Sequence, residues 1–191
     1  MAEREIILAS ASPTRARLLE AASVTFRVVP SEVDEQVVRE QLSADNEEIE
    51  PADIAEVLAR AKAEDVSRRY PEAIVVGCDQ VLALGREIFT KAATIDEARD
   101  VLMQLRGQTH QLHSAVAIAE AGDVTWADID TASVTMRKYS ATALSQYLLI
   151  AGVRALESVG AYQIEGPGVV LFERIDGDHF TVMGMPLLPL L

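Results

Sequence analysis

The run Ala73-Ile-Val-Val-Gly-Cys-Asp79 constrains the fold more than any other stretch of this chain. Three successive β-branched residues, Ile74, Val75 and Val76, fit a strand buried on both faces, the kind found inside α/β sheets covered by helices. In such open sheets ligands gather beyond the carboxyl ends of the strands. This strand runs into a glycine, a cysteine and then a carboxylate. Asp79 is therefore the first candidate for chemistry, although an Asp also opens ordinary turns.

A second strand-to-helix junction lies at Leu8-Ala-Ser-Ala-Ser-Pro-Thr-Arg-Ala-Arg-Leu-Leu-Glu20. Ile6 to Ala9 reads as a short buried strand, Ser12 as an N-cap and Pro13 as the first helical residue. Arg15 then sits in the first turn, where the macrodipole disfavours a cation, so an anionic partner is expected nearby. It lies three and four residues before Leu18 and Leu19 and shares their inward face, whereas Arg17 does not. Strand, Ser-rich turn, helix N-terminus and inward arginine together fit a phosphate cradle. The alternative is an arginine that snorkels to the surface.

Pro51 opens a longer helix whose apolar stripe runs through Ile54, Val57, Leu58, Ala61 and Val66. Lys62 falls on that stripe. Its ammonium either snorkels to the edge or points inward at an anion. Glu35, after an expected strand from Thr25 to Val29, adds a loop carboxylate. Thr94-Ile-Asp-Glu97 is a capping box opening a helix that stops at Gly107. Strands are expected over 112–119 and 124–136, joined by a turn at 120–123. Ser140 caps a helix through Ile150, and Val169 to Arg174 reads as a further strand. The fold class is α/β, a mixed sheet with flanking helices, in a single domain over 1–191.

Composition sets outer limits. A net charge of −13 argues against a nucleic-acid partner, whose binding surfaces are basic, but not against a nucleotide, because a few cations focused at one place dominate locally. No apolar run reaches membrane-spanning length, and the N-terminal residues lack a signal-peptide pattern, so a cytoplasmic protein is expected. The single cysteine, Cys78, reads as a small core residue rather than a nucleophile. His110, His113 and His179 show no metal-ligand spacing. The acidic stretch from Asp45 to Glu50 reads as a solvated loop or helix start. Neither a Gly-x-Gly-x-x-Gly nor a Gly-x-x-x-x-Gly-Lys sequence is present, which removes dinucleotide-oxidoreductase and P-loop readings.

In order and wording these segments resemble the Maf nucleotide pyrophosphatases. Leu8 to Leu19 matches the opening Leu-Ala-Ser-x-Ser-Pro motif of that family, and Asp34-Glu35 its Asp-Glu. Lys62 matches the lysine of its Ala-rich helix, Gly77-Cys78-Asp79 its Gly-x-Asp, and Lys91 the lysine that follows. Gly107 to His110 matches a Gly-x-x-His element, with Ser114 where Thr is usual, and Gly184 to Leu187 the closing Gly-x-Pro-Leu. Two positions depart from the pattern: Ala16 replaces a second arginine, and Ala92 a proline after the lysine. Gln80, Glu165-Gly166 and Leu171-Phe-Glu-Arg-Ile175 are closer to the 7-methyl-GTP branch than to the dTTP/UTP branch.

The resemblance implies two lobes around a deep cleft, as in inosine triphosphate pyrophosphatases, and hydrolysis of a nucleoside triphosphate to monophosphate and pyrophosphate. It implies Asp79, alone or through Mg²⁺ or Mn²⁺ shared with Glu35, as activator of water. Arg15, Lys62 and Lys91 would face the phosphates with Ser10, Ser12 and Thr14. Gln80 would donate to guanine O6, and Glu165 would accept from N1–H and the 2-amino group. A small nucleotide is the expected partner, with no nucleic acid and no membrane, and the sequence is compatible with a homodimer. A dTTP/UTP pyrophosphatase and a non-catalytic nucleotide-binding regulator of cell division are the alternatives.

Overall fold

The computed structural model describes residues 4–45 and 49–191, so the middle of the acidic stretch, residues 46–48, and the first three residues lie outside the described residues. In chain order the elements are β1 (Ile6–Leu8), α1 (Pro13–Ala21), β2 (Arg27–Val28), α2 (Glu35–Asp45), α3 (Pro51–Arg69), β3 (Ile74–Leu84), β4 (Glu87–Phe89), α4 (Ile95–Leu105), β5 (Thr109–Glu120), β6 (Asp123–Met136), α5 (Ala141–Ala151), β7 (Phe172–Asp176), α6 (His179–Val182) and α7 (Leu187–Leu190). Short 3-10 helices occupy Gly152–Leu156 and Pro167–Leu171.

Among the described residues seven strands form one mixed sheet in the order β2-β1-β3-β5-β6-β7, with β4 pairing β3. β1 lies parallel to both β2 and β3, in the register Ile6↔Ile74 and Leu8↔Val76. β4 runs antiparallel to β3, and β7 antiparallel to β6. A pair of parallel strands needs a crossover connection, and α1, α2 and α3 supply it between β1 and β3.

The chain divides into two compact units, the first comprising 1–80, 113–130 and 179–191 and the second 81–112 and 131–178. In the first unit the period-2 alternation of the strands sorts the core into two layers. Leu8, Val76 and Cys78 pack with Leu18 and Leu19 of α1, Val116 of β5, and Met185 and Leu187. Ile7, Ala9 and Val75 pack on the other face with Val66 of α3. Asp79 continues the odd-numbered face toward α3, and Gln80 the even-numbered face toward α1 and the C-terminal segment. Neighbours in sequence, they serve opposite sides of the sheet.

Gly77 sets how closely α3 approaches β3. A Cβ there would lie 2.3 Å from the Ala59 carbonyl oxygen, 2.6 Å from the Ala63 nitrogen and 2.8 Å from Ala63 Cβ. Only a residue without a side chain allows helix backbone and strand backbone this near. Ala59 and Ala63 bracket Lys62 on the buried face of α3, so the close approach is what brings Lys62 over β3.

The second unit is built around fully buried Leu82, Leu102, Leu105, Leu112, Met136, Leu144 and Leu171. His110 is buried within it, its Nε2 bonded to the Tyr162 hydroxyl at 2.5 Å, and Tyr162 packs edge-on against Phe172. Burial lowers His110 to a pKa of about 4.

Several boundaries differ from the sequence reading. β2 covers two residues instead of Thr25 to Val29. Pro167 to Leu171 forms a 3-10 turn, so β7 starts at Phe172 rather than Val169. Glu35 is the first residue of a helix rather than part of a loop: Asp34 accepts the backbone N–H groups of Gln36 and Val37, each at 3.1 Å, and so caps α2. None of the helices among the described residues is long and apolar enough to cross a membrane.

Candidate active site

The carboxyl end of β1 and the adjoining stretch of β3 bring the first cluster together. Ser12 caps α1 by accepting from the Arg15 backbone nitrogen. Arg15, three residues in, turns back over the helix start toward β3. Its Nε donates to the Gly184 carbonyl at 2.8 Å, and its Nη1 to the Cys78 carbonyl at 2.9 Å and to Ser10 Oγ at 3.2 Å. The negative ends that offset a cation at a helix N-terminus are thus two carbonyls and a hydroxyl. Its Nη2 takes part in none of these bonds and remains a donor for a ligand.

On the α3 side, Lys62 Nζ donates to Asp79 Oδ1 and to Glu35 Oε1, both at 2.6 Å. The Lys62 and Asp79 side chains are 8% and 5% exposed and Glu35 is 46% exposed, so the pair inside is desolvated while the third partner faces water. A buried charge persists only when paired, and the two short hydrogen bonds from the ammonium meet that need. Partial burial raises the Glu35 carboxyl. The charge and hydrogen bond of Lys62, followed by Arg39 and Arg15, outweigh that rise and hold it below the usual carboxylate range.

Lys62 leaves one oxygen of each carboxylate to other partners. Asp79 Oδ2 is buried and has no hydrogen-bond partner among the described residues. Arg39, one helical turn after Glu35 on α2, places its guanidinium 3.4 Å from Glu35 Oε2 and 3.8 Å from Asp79 Oδ2. Sequence reasoning missed Arg39 because residues 35–45 were not recognised as a helix. Asp34 as N-cap was the available signal, since it sets Glu35 and Arg39 four apart on one face.

Gln80 is not oriented as the base-donor reading requires. Its Nε2 donates to Ser114 Oγ at 3.0 Å, to the Thr181 carbonyl at 3.0 Å and to the Val182 carbonyl at 3.3 Å. Two main-chain carbonyls can only accept, so they fix which end of the amide is nitrogen. Ser114 Oγ also donates to the Thr181 carbonyl, at 2.7 Å. The carboxamide thus latches the segment leading into Gly184 onto the sheet, with its nitrogen engaged inside the protein. The Thr14 hydroxyl accepts from the exposed Arg17 at 3.3 Å. Lys91 and Glu165 lie in the second unit, both exposed.

Cys78 is fully buried and its thiol is pushed up to about 11, chiefly by burial, which keeps it neutral and unreactive near pH 7. His110 and His113 are strand residues of β5. Ala16, where the expected second arginine is missing, packs against the apolar layer under α1. Its methyl group faces the core.

Two carboxylates, three cations and hydroxyls around one strand end can bind a polyphosphate and activate water beside it. The family model described as Maf-like protein matches residues 5–191. A relative from Brucella abortus named 7-methyl-GTP pyrophosphatase is 47% identical over 187 residues, covering 98% of this chain and 93% of its own length. One of the same name from Mesorhizobium japonicum is 48% identical, with the same coverage. A relative from Granulibacter bethesdensis named nucleoside triphosphate pyrophosphatase is 43% identical, covering 98% of this chain and 94% of its own. With one family model spanning nearly all of the sequence, and relatives near half identity over the same length, the chain belongs to the Maf family.

Proposed function

We propose that this chain is a nucleoside triphosphate pyrophosphatase, a hydrolase acting on the acid anhydride between the α- and β-phosphates, with 7-methyl-GTP as its preferred substrate. The observation that carries the chemistry is the state of Asp79. Lys62 holds one carboxylate oxygen and orients the group, while the other is buried and has no hydrogen bond among the described residues. A base needs an oriented, unengaged acceptor within reach of the water it activates. Asp79 Oδ2 meets that description.

In this mechanism Oδ2 accepts a proton from a water that attacks the α-phosphorus in line, and the α–β bridging oxygen leaves with pyrophosphate. Arg15 Nη2 and Ser10 meet the phosphate oxygens, and the remaining proton of Lys62 Nζ stabilises charge as it moves to the leaving group. Lys91 is assigned to the phosphates through its motif match. The family branch is argued from Glu165, whose carboxylate suits the two donors of guanine and the added positive charge of 7-methylation. Gln80 makes no base contact in this scheme, since its donor is engaged with Thr181 and Val182.

A divalent cation is part of the proposal. Among the described residues no three His, Cys, Asp or Glu side chains group as a metal cage. The pair Asp79 and Glu35, with Asp79 Oδ2 not hydrogen-bonded among the described residues, fits Mg²⁺, which is held by one or two carboxylates and keeps waters and substrate phosphates as its other ligands; with the ion bound, Asp79 would act on the water through the metal instead of taking its proton directly. Bound there it would lower the pKa of water and neutralise phosphate charge.

The test is a product-resolved screen of 7-methyl-GTP, GTP, UTP and dTTP with Mg²⁺ and Mn²⁺. The expected result is metal-dependent release of pyrophosphate and monophosphate, fastest for 7-methyl-GTP. A preference for dTTP or UTP moves the chain to the other branch, and orthophosphate as the product overturns attack at the α-phosphorus.

A further inference from the structure

We propose that Arg39 is the cation that leaves the carboxylates for the phosphates when substrate binds, uncovering Asp79 as it does so; this rests on the polyphosphate reading above. The three cations of this cluster, Lys62, Arg15 and Arg39, are held very differently. Lys62 is fixed by two 2.6 Å bonds with its side chain almost wholly buried. Arg15 is fixed by three bonds, two of them to main-chain carbonyls. Arg39 has no comparable anchorage. Its contacts are 3.4 Å and 3.8 Å, its Nε is buried without a hydrogen bond among the described residues, and its side chain is 20% exposed. A guanidinium has five donors in a planar fork, and among the described residues Arg39 makes one hydrogen bond, from Nη2 to Glu35 Oε2 at 3.4 Å.

Charge points the same way. Lys62 and Arg15 only cancel Glu35 and Asp79, leaving a neutral group to meet a polyanion in a chain of net charge −13. Arg39 makes that group positive. Its two neighbours, Asp79 Oδ2 and Glu35 Oε2, are the oxygens that Lys62 does not hold. In the free protein Arg39 therefore screens the acceptor that the mechanism needs. A phosphate chain offers the fork a bidentate, charge-assisted partner that long contacts to a half-exposed Glu35 do not match.

The experiment is calorimetric titration of the intact protein with inorganic pyrophosphate and, separately, with a nucleoside monophosphate, for wild type, Arg39→Ala and Arg39→Lys. The expected result is a loss of about 10- to 100-fold in pyrophosphate affinity for Arg39→Ala, the range for a charge-assisted hydrogen bond, with monophosphate affinity within about 3-fold of wild type. Arg39→Lys recovers part of the loss, because it keeps the charge and not the fork. Thermal melts verify that the variants are folded, and Arg39→Lys keeps a charged side chain at the position if Arg39→Ala is unstable. Equal weakening toward both ligands, or unchanged pyrophosphate binding, overturns the proposal. The readout is independent of turnover. Failure of the pyrophosphatase reading would appear instead as no pyrophosphate release by wild type in the nucleotide screen.

Discussion

Replacing Lys62 with Met removes the ammonium that Glu35 and Asp79 share while keeping most of its volume in the α3–β3 interface. Removing one partner of a buried ion pair costs about 3–5 kcal/mol, because the charge left behind is uncompensated. Two features place this case at the lower end. Glu35 is half-exposed and rehydrates, and Arg39, 3.8 Å from Asp79, supplies part of the missing charge. A loss of about 3 kcal/mol is therefore expected near neutral pH, or a Tm lower by about 10 °C for a chain of this size. The pH dependence carries a sign. In wild type the Glu35 pKa is depressed, so its contribution is complete above the unfolded carboxyl pKa and is lost as pH falls through the lower folded value. Without Lys62 the rise that desolvation gives the Glu35 carboxyl is no longer outweighed, and acidification relieves it. Urea unfolding at about pH 7.5 and about pH 5.5 should show the gap between variant and wild type narrowing at the lower pH. A gap below about 1 kcal/mol, or one that widens on acidification, would refute the idea that Lys62 compensates a buried pair.

Gly77→Ala should cost at least about 3 kcal/mol and abolish turnover together, since the added methyl group meets helix backbone that has no room to yield; a stable, active variant would show that α3 can shift without moving Lys62. Gln80→Met removes the amide donor from the Val182 carbonyl and Ser114 Oγ and one of several donors from the Thr181 carbonyl, so it should lower stability by about 1–3 kcal/mol and raise KM through a loosened Arg15. A changed preference between 7-methyl-GTP and dTTP with unaltered stability would return Gln80 to base recognition. His110, buried and neutral with its pKa lowered to about 4, gives stability that is complete above the unfolded value and is lost as pH falls. Between pH 7 and pH 5 that loss is about 2 kcal/mol, and His113, also lowered by burial, adds to it with the same sign. His110→Gln should flatten this slope, whereas equal slopes in both proteins would assign the acid sensitivity to other groups.

What the sequence made legible was local. Ser12-Pro13 fixed the start of α1 and with it the inward phase of Arg15, and the stripe of α3 placed Lys62 on the buried face, although Ala55, Ala59 and Ala63 form it more than Val57 and Ala61 do. The β-branched run before Gly77 located β3. The expectations that depended on partners distant in sequence went astray. The orientation of Gln80 is decided by carbonyls about a hundred residues further along the chain, and no local pattern records which end of an amide faces them. Arg39 was hidden behind an unrecognised cap at Asp34. The two-residue β2 shows that β-branched composition marks pleated surface without fixing how much of it pairs.

The central claim is that the unengaged oxygen of Asp79 activates the water that attacks the α-phosphorus. Single-turnover release of pyrophosphate from saturating 7-methyl-GTP, compared between wild type and Asp79→Asn, tests it most directly. Asn keeps the shape and removes the base, so the rate should fall by about 10²- to 10⁴-fold, the usual contribution of a positioned general base, while pyrophosphate affinity stays within about 3-fold of wild type. A variant that releases pyrophosphate at close to the wild-type rate would contradict the account and move the search for the base to Glu35.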